Sequence, residues 1–228
     1  MTRIAMLLYP GLTQLDLTGP YEVFRRISDA EVLLVWKTLD AVVSDGGMAI
    51  VPGVRMAECP RCEVLFVPGG PGQVDWMLDE EVMEWLRVQG REAQWVTSVC
   101  TGSLLLGAAG LLRGYRAACH WMSRDQLALL GATPVAERVV VDGNRVTGGG
   151  VTAGIDFALR LAGELRGEDE ARGIGLQLEY DPMPPYGPGS PEGSELGLIT
   201  GVKQKAKGMM ARRREATERA AERLRGEG

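Results

Sequence analysis

Cys100 closes the run Gln94-Trp95-Val96-Thr97-Ser98-Val99-Cys100 and opens the run Thr101-Gly102-Ser103-Leu104-Leu105-Leu106. The residues before it are β-branched and apolar, the pattern of a buried strand. Those after it, as far as Leu112, turn to Gly, Ala and Leu, the pattern of a buried helix. A cysteine on a sharp strand-to-helix turn has the geometry of a nucleophile elbow. At a helix N-terminus the dipole and the free N–H groups stabilise a thiolate and lower its pKa. The local pattern fits a small buried hydrophobe equally well, a common state of free cysteine.

Three other features gain meaning beside such a thiol. Gly69-Gly70 follows the apolar run Val64-Leu65-Phe66-Val67, and two glycines let the backbone approach a ligand closely. Their N–H groups, with that of Thr101, are candidates to cradle negative charge on a reacting atom. Alone, the pair is only a turn. Asp16 follows the first apolar run and stands between Leu15 and Leu17, a setting that raises a carboxyl pKa and suits acid/base work. It also reads as an ordinary turn or cap aspartate. His120 is the only histidine, so a Cys-His pair requires it; a lone histidine is otherwise a satisfied structural residue. Thr101 either offers its hydroxyl to the site or caps the following helix. Cys59-Pro60-Arg61-Cys62 is a C-x-x-C in a predicted loop, with no second ligand pair for zinc, and reads as incidental. No P-loop, dinucleotide fingerprint or carboxylate cluster for a metal is evident.

These groups need a frame that brings them to one edge. Arg3–Tyr9, Glu31–Thr38, residues 64–67 and Trp95–Val99 read as strands, and Arg116–His120 as another that ends on the histidine. Residues 41–57 hold one or two short strands broken at Gly46-Gly47. A helix is expected from a cap at Thr18, with Pro20 in its first turn, to about Ile27. Further helices are expected over Asp79–Ala93, Arg124–Leu130, after Gly148-Gly149-Gly150, and over Asp169–Tyr180. Asp142-Gly143 is a strong hairpin signal between residues 138–141 and 145–147. Alternating strands and helices give an α/β fold, a mostly parallel central sheet sandwiched by helices. Ligands bind such sheets at the carboxyl ends of the strands, where Asp16, Gly69-Gly70, Cys100 and His120 would meet. The organisation expected is an α/β domain over 1–180, a Pro/Gly-rich arm over 181–194 and a basic C-terminal helix over 195–228.

Charge divides in the same way. The 228 residues carry a net charge of −5, yet residues 203–225 hold nine Lys/Arg against three Glu. A basic helix of this kind can meet nucleic acid, but no recognition motif accompanies it, so docking on its own acidic domain or on a partner subunit is the favoured reading. The longest apolar stretch, Leu104–Leu112, is too short to cross a membrane. The four cysteines follow no disulfide framework and no signal peptide is visible, which reads as a cytoplasmic protein with reduced thiols.

Four motifs together resemble the ThiJ/PfpI superfamily, related to class I glutamine amidotransferases: Val67-Pro68-Gly69-Gly70, Val99-Cys100-Thr101-Gly102, Cys119-His120-Trp121 and Gly149-Gly150-Val151-Thr152-Ala153-Gly154-Ile155-Asp156. The likeness covers roughly residues 3–180 and implies the flavodoxin-like fold of that superfamily. Gln14-Leu15-Asp16-Leu17-Thr18-Gly19-Pro20, Leu111-Leu112-Arg113-Gly114-Tyr115-Arg116-Ala117 and Leu176-Gln177-Leu178-Glu179-Tyr180-Asp181-Pro182 are similar to its bacterial isonitrile-hydrating branch. That resemblance implies a homodimeric lyase that hydrates a small isonitrile to an N-substituted formamide without metal or organic cofactor. It further implies Cys100 as nucleophile, Asp16 as acid/base and Thr101 as its supporting neighbour. His120 matches the superfamily histidine, its role in this branch open. Other activities of the superfamily (glyoxalase, deglycase, amidase) and a non-enzymatic redox-sensing or ligand-binding role remain alternatives. AraC-like regulators share the Asp-Leu-Thr-Gly-Pro and Cys-Thr-Gly patterns but carry a helix-turn-helix domain downstream, for which this chain ends too soon.

Overall fold

The computed structural model describes residues 1–226. Its strands are β1 (Thr2–Leu7), β2 (Ala30–Trp36), β3 (Val42–Val43), β4 (Ala49–Ile50), β5 (Val54–Arg55), β6 (Val64–Val67), β7 (Trp95–Val99), β8 (Arg116–Ala117), β9 (Thr133–Pro134), β10 (Val139–Asp142) and β11 (Arg145–Gly148). Its helices are α1 (Gln14–Phe24), α2 (Gln73–Trp76), α3 (Glu80–Glu92), α4 (Gly102–Ala108), α5 (Ala153–Arg166), α6 (Glu168–Gln177) and α7 (Leu196–Gly226). Seven strands make the main sheet in the order β10-β11-β7-β6-β1-β2-β5, parallel except where β10 runs against β11. That pair is the hairpin expected at Asp142-Gly143, and Gly143 takes the positive φ, 57°, that such a turn requires.

The apolar strands are central because they must be covered on both faces. All four residues of β6 are fully buried. Helices α1, α5 and α6 pack on one side, and α2, α3, α4 and α7 gather on the other. Phe24 of α1, Phe66 of β6 and Phe157 of α5 stack with ring centroids 5.5–6.0 Å apart, tying one helix layer to the sheet. Burying each such ring contributes about 1.5–3 kcal/mol. The chain leaves β1 for β2 on one side of the sheet and returns to build β6 and β7 on the other, so a crevice opens at the carboxyl ends of β1, β6 and β7.

Four expectations need correction. First, α1 starts at Gln14, not after Thr18, so Asp16 lies in the first turn of the helix. Pro20 sits inside this helix; because proline has no N–H, the Asp16 carbonyl loses its partner one turn on. Second, residues 116–117 pair only with β9 in a separate ladder, so His120 does not end a strand of the main sheet. Third, Arg124–Leu130 winds as a 3-10 helix, closed by Gly131 at φ 81°. Fourth, α6 stops at Gln177 rather than Tyr180. Residues 181–190 are without helix or strand, and one 3-10 turn, Pro191–Gly193, precedes α7. The expected C-terminal helix extended to residue 228, and 227–228 lie outside the described residues.

The basic helix α7 docks on its own domain. Arg213, Ala216, Thr217, Ala220, Ala221 and Leu224 form its buried face. Arg212, Arg214 and Arg223 reach Asp75, Asp125 and Glu80 at 3.6, 3.0 and 2.7 Å. No helix among the described residues is long and apolar enough to cross a membrane.

Candidate active site

Cys100 has φ 55°, the left-handed conformation that a non-glycine residue adopts only when its surroundings impose it. The imposition comes from β11: the Cys100 N–H donates to the carbonyls of Gly148 and Gly149 at 3.1 and 2.7 Å. The chain turns from β7 into α4 at this residue, which is the elbow that the sequence implies. Only 5% of Cys100 is exposed.

Asp16 comes to the thiol from the first turn of α1 and is fully buried. Its Oδ2 accepts the Gly69 N–H at 3.0 Å, while Oδ1 has no hydrogen-bond partner. The Cys100 side chain stands beside this carboxyl across Gly69 and interacts with it electrostatically. Burial pushes the Asp16 pKa up to about 7 against the opposing pull of the Cys100 thiol and the Gly69 N–H. The thiol is affected in the opposite sense to the sequence expectation. Burial and the adjacent carboxyl hold its pKa well above the ordinary value, and the Thr101 N–H offsets only part of this. The resting pair is therefore a protonated thiol beside a carboxyl close to half-ionised at neutral pH.

Thr101 does not cap α4 with its side chain. Its hydroxyl instead accepts the Gly70 N–H at 3.0 Å and lies 3.3 Å from the Gly70 carbonyl. The amides of Gly69 and Gly70 thus each have an acceptor inside the protein. They fix the acid and the hydroxyl in place rather than standing open to cradle charge. The loop is braced from beneath by Tyr9, whose buried hydroxyl donates to the Pro68 carbonyl at 2.9 Å. Nothing in the apolar run around Tyr9 marked it for this work.

Gly69 is the position where these groups meet. A Cβ there would stand 2.6 Å from Asp16 Oδ2, 2.6 Å from Thr101 N and 2.8 Å from Cys100 Cβ. A Gly69→Ala variant is expected to push the acid away from the thiol and lower kcat/KM by about 10²-fold. The steady-state rate on an accepted substrate, with a melting curve alongside, checks this.

His120 is not paired with Cys100 by a hydrogen bond among the described residues. Its Nδ1 accepts the Met122 N–H at 3.4 Å, and its ring edge faces Gly150. It lines a cavity of about 360 Å³ with Cys119, Trp121, Gly149, Val151 and the arm residues Gly189–Glu192. Cys100 does not itself line this cavity, but Gly149, which does, accepts the Cys100 N–H at 2.7 Å. Burial, and then the Arg213 cation, lower the His120 pKa to about 4, so the imidazole is neutral. Arg213 is only 7% exposed; it enters from α7 and donates to Gln73 Oε1 at 2.8 Å and Ser123 Oγ at 3.0 Å. In an Arg213→Gln variant the single histidine is expected to titrate nearer its ordinary value, which a proton NMR titration of the only imidazole reads directly.

Among the described residues no group of three or more His, Cys, Asp or Glu is placed to hold a metal ion.

Residues 2–164 match the DJ-1/PfpI family profile. The chain belongs to the DJ-1/PfpI family. Among its curated relatives is the isonitrile hydratase of Pseudomonas putida, 50% identical over 222 residues that span 97% of each chain. A crystal structure of a ThiJ/PfpI family protein from Pseudomonas syringae superposes with a TM-score of 0.92 at 43% identity, covering 96% of this chain and 90% of that one. The transcriptional regulator GbdR of Pseudomonas aeruginosa is 30% identical over 78% of this chain but only 50% of its own length. The DJ-1/PfpI fold thus serves both enzymes and regulators, and its elbow and acid are what an activity must be argued from.

Proposed function

We propose that the protein is an isonitrile hydratase, a hydro-lyase that adds water to the terminal carbon of an isonitrile and releases an N-substituted formamide. The observation that carries this reading is end-to-end similarity, at 50% identity, to an isonitrile hydratase, in a chain whose buried Asp16 carboxyl and elbow cysteine flank the same glycine.

The chemistry follows from the resting protonation. The Cys100 S–H proton passes through Asp16 to the isonitrile carbon as sulfur bonds to that carbon, giving a thioimidate, Cys–S–CH=N–R. Asp16, close to half-ionised near pH 7, takes a proton from water as the oxygen adds to the same carbon and passes that proton to the nitrogen, leaving Cys–S–CH(OH)–NH–R and an ionised Asp16. Collapse forms the C=O bond, breaks the C–S bond and returns a proton to sulfur. The sum is R–NC plus H₂O to R–NH–CHO. Thr101 favours the thiolate through its N–H and locks the Gly70 loop through its hydroxyl. Gly69 holds Asp16 in register. The cavity beside Gly149 and His120 would receive the organic group of the substrate.

The homodimer implied by the resemblance has support in large apolar side chains left bare along one stretch. Leu176, Met183, Tyr186, Leu196 and Leu198 are 61–99% exposed, more than isolated surface residues need be. All four cysteines are free, which supports a cytoplasmic setting.

The test is formamide production from cyclohexyl isocyanide and from one linear isonitrile by the purified, reduced protein. Turnover supports the hydratase. A folded protein that turns over neither belongs with the glyoxalase, deglycase or amidase activities of the superfamily, or with ligand sensing.

A further inference from the structure

We propose that Cys59 and Cys62 are a second reactive site, a dithiol that small organic disulfides convert reversibly to an intramolecular Cys59–Cys62 disulfide. The pair flanks Pro60-Arg61 in the loop that enters β6. Both sulfurs lie on one carbonyl oxygen: Pro60 O is 3.5 Å from Cys59 Sγ and 3.3 Å from Cys62 Sγ. Sharing one acceptor places the two sulfurs side by side, and the thiols are electrostatically coupled. The same carbonyl accepts Gln89 Nε2 of α3 at 3.1 Å, and Arg61 is bound to Glu92 of α3 at 2.8 Å. The loop is thereby pinned to the helix, and the sulfurs need little further ordering to meet.

The two thiols stand in different surroundings. Cys59 is half-buried and reachable from solvent, whereas Cys62 is 3% exposed. The neighbouring Cys62 lowers the Cys59 pKa, whereas Cys59 and then burial push the Cys62 thiol up. That division gives an attacking sulfur and a resolving one. The Cys59 thiolate attacks one sulfur of a disulfide R–S–S–R, forming Cys59–S–S–R and releasing RS⁻. The Cys62 thiol then attacks Cys59 sulfur, loses its proton, and expels the second RS⁻. Two protein thiols are oxidised and one organic disulfide is reduced to two thiols. A zinc site is the other use of C-x-x-C, but no further His, Cys, Asp or Glu completes a ligand group there among the described residues.

The pair lies at the start of β6, at the far end of the strand from Gly69, so its chemistry is separate from that of Cys100. The experiment equilibrates the full chain, and a Cys100→Ser variant, with oxidised and reduced glutathione over a range of ratios. Acid quench, alkylation and peptide mass spectrometry follow. The expected result in both proteins is a peptide spanning residues 59–62 that is lighter by two hydrogens and unalkylated, restored by excess reduced glutathione. Cys62→Ser should trap glutathione on Cys59, and Cys59→Ser should leave Cys62 free, reacting about tenfold or more slowly. Full alkylation of both thiols at every ratio in folded protein would overturn the proposal. So would a disulfide that only links separate chains, or a Cys62→Ser variant that captures no glutathione. None of these outcomes depends on the protein turning over an isonitrile.

Discussion

Replacing Cys100 by alanine is expected to abolish formamide production while leaving the fold intact. The sulfur is the atom that bonds to carbon in the proposed reaction, and no other thiol can substitute for it. Cys119 is the nearest alternative, but it is fully buried and its pKa is pushed up to about 12. The loss should be about 10⁴-fold or more in kcat. The backbone that holds the elbow does not depend on sulfur, because the two hydrogen bonds from the Cys100 N–H to Gly148 and Gly149 remain. Circular dichroism and a melting curve near wild type, with product formation at background, are the paired readings. Wild-type turnover in this variant would remove the thioimidate from the scheme.

Asp16→Asn is expected to lower kcat by about 10²–10⁴-fold, because the amide accepts the Gly69 N–H yet cannot carry the proton. The wild-type rate should rise with pH through about 7, where the carboxyl becomes able to take the thiol proton, and the residual rate of the variant should lack that inflexion. Stability should respond in the opposite sense. Asp16 titrates at about 7 in the folded chain against an ordinary value of 3.8. Between those values the folded chain keeps a proton that the unfolded chain has released. The contribution is complete below the ordinary value and is lost as pH rises through about 7. Asparagine has no such loss, so the variant should melt higher than wild type at pH 8, by a stability difference of at most about 4 kcal/mol. Thermal melts at pH 5 and pH 8 check the sign. A variant with full activity would take Asp16 out of the mechanism.

The elbow was legible because a β-branched run meeting a Gly/Ala/Leu run leaves few conformations for the residue between them. The hairpin was legible for a similar reason, since Asp142-Gly143 supplies the φ its turn requires. The setting of Asp16 was not legible: Pro20 signals a helix start by preference, yet the helix begins at Gln14 and takes Asp16 into its first turn. Gly154 of α5 packs so closely on Pro20 that a Cβ would stand 3.0 Å from its Cδ, a tertiary contact that the local sequence does not announce. Arg213 could not be found at all. A cation in a basic helix reads as solvated, and only Gln73 and Ser123, distant in sequence, make its burial possible. The role of Gly69 and Gly70 shifted for the same kind of reason, because no local pattern says which acceptors an amide will meet.

The backbone of Cys100 is fixed by carbonyls that follow it in the chain, at Gly148 and Gly149, and Asp16 rides on a helix that packs against α5, later still. During synthesis, then, Cys100 emerges before the structure that forces its conformation exists. Until β11 pairs with β7, the residue is free to relax into an ordinary extended or helical state, with its thiol no longer opposite Asp16. A nascent chain that ends before Gly148 therefore carries Cys100 and Asp16 without the backbone acceptors that hold the elbow, and the proposed chemistry waits on the last strand of the parallel sheet.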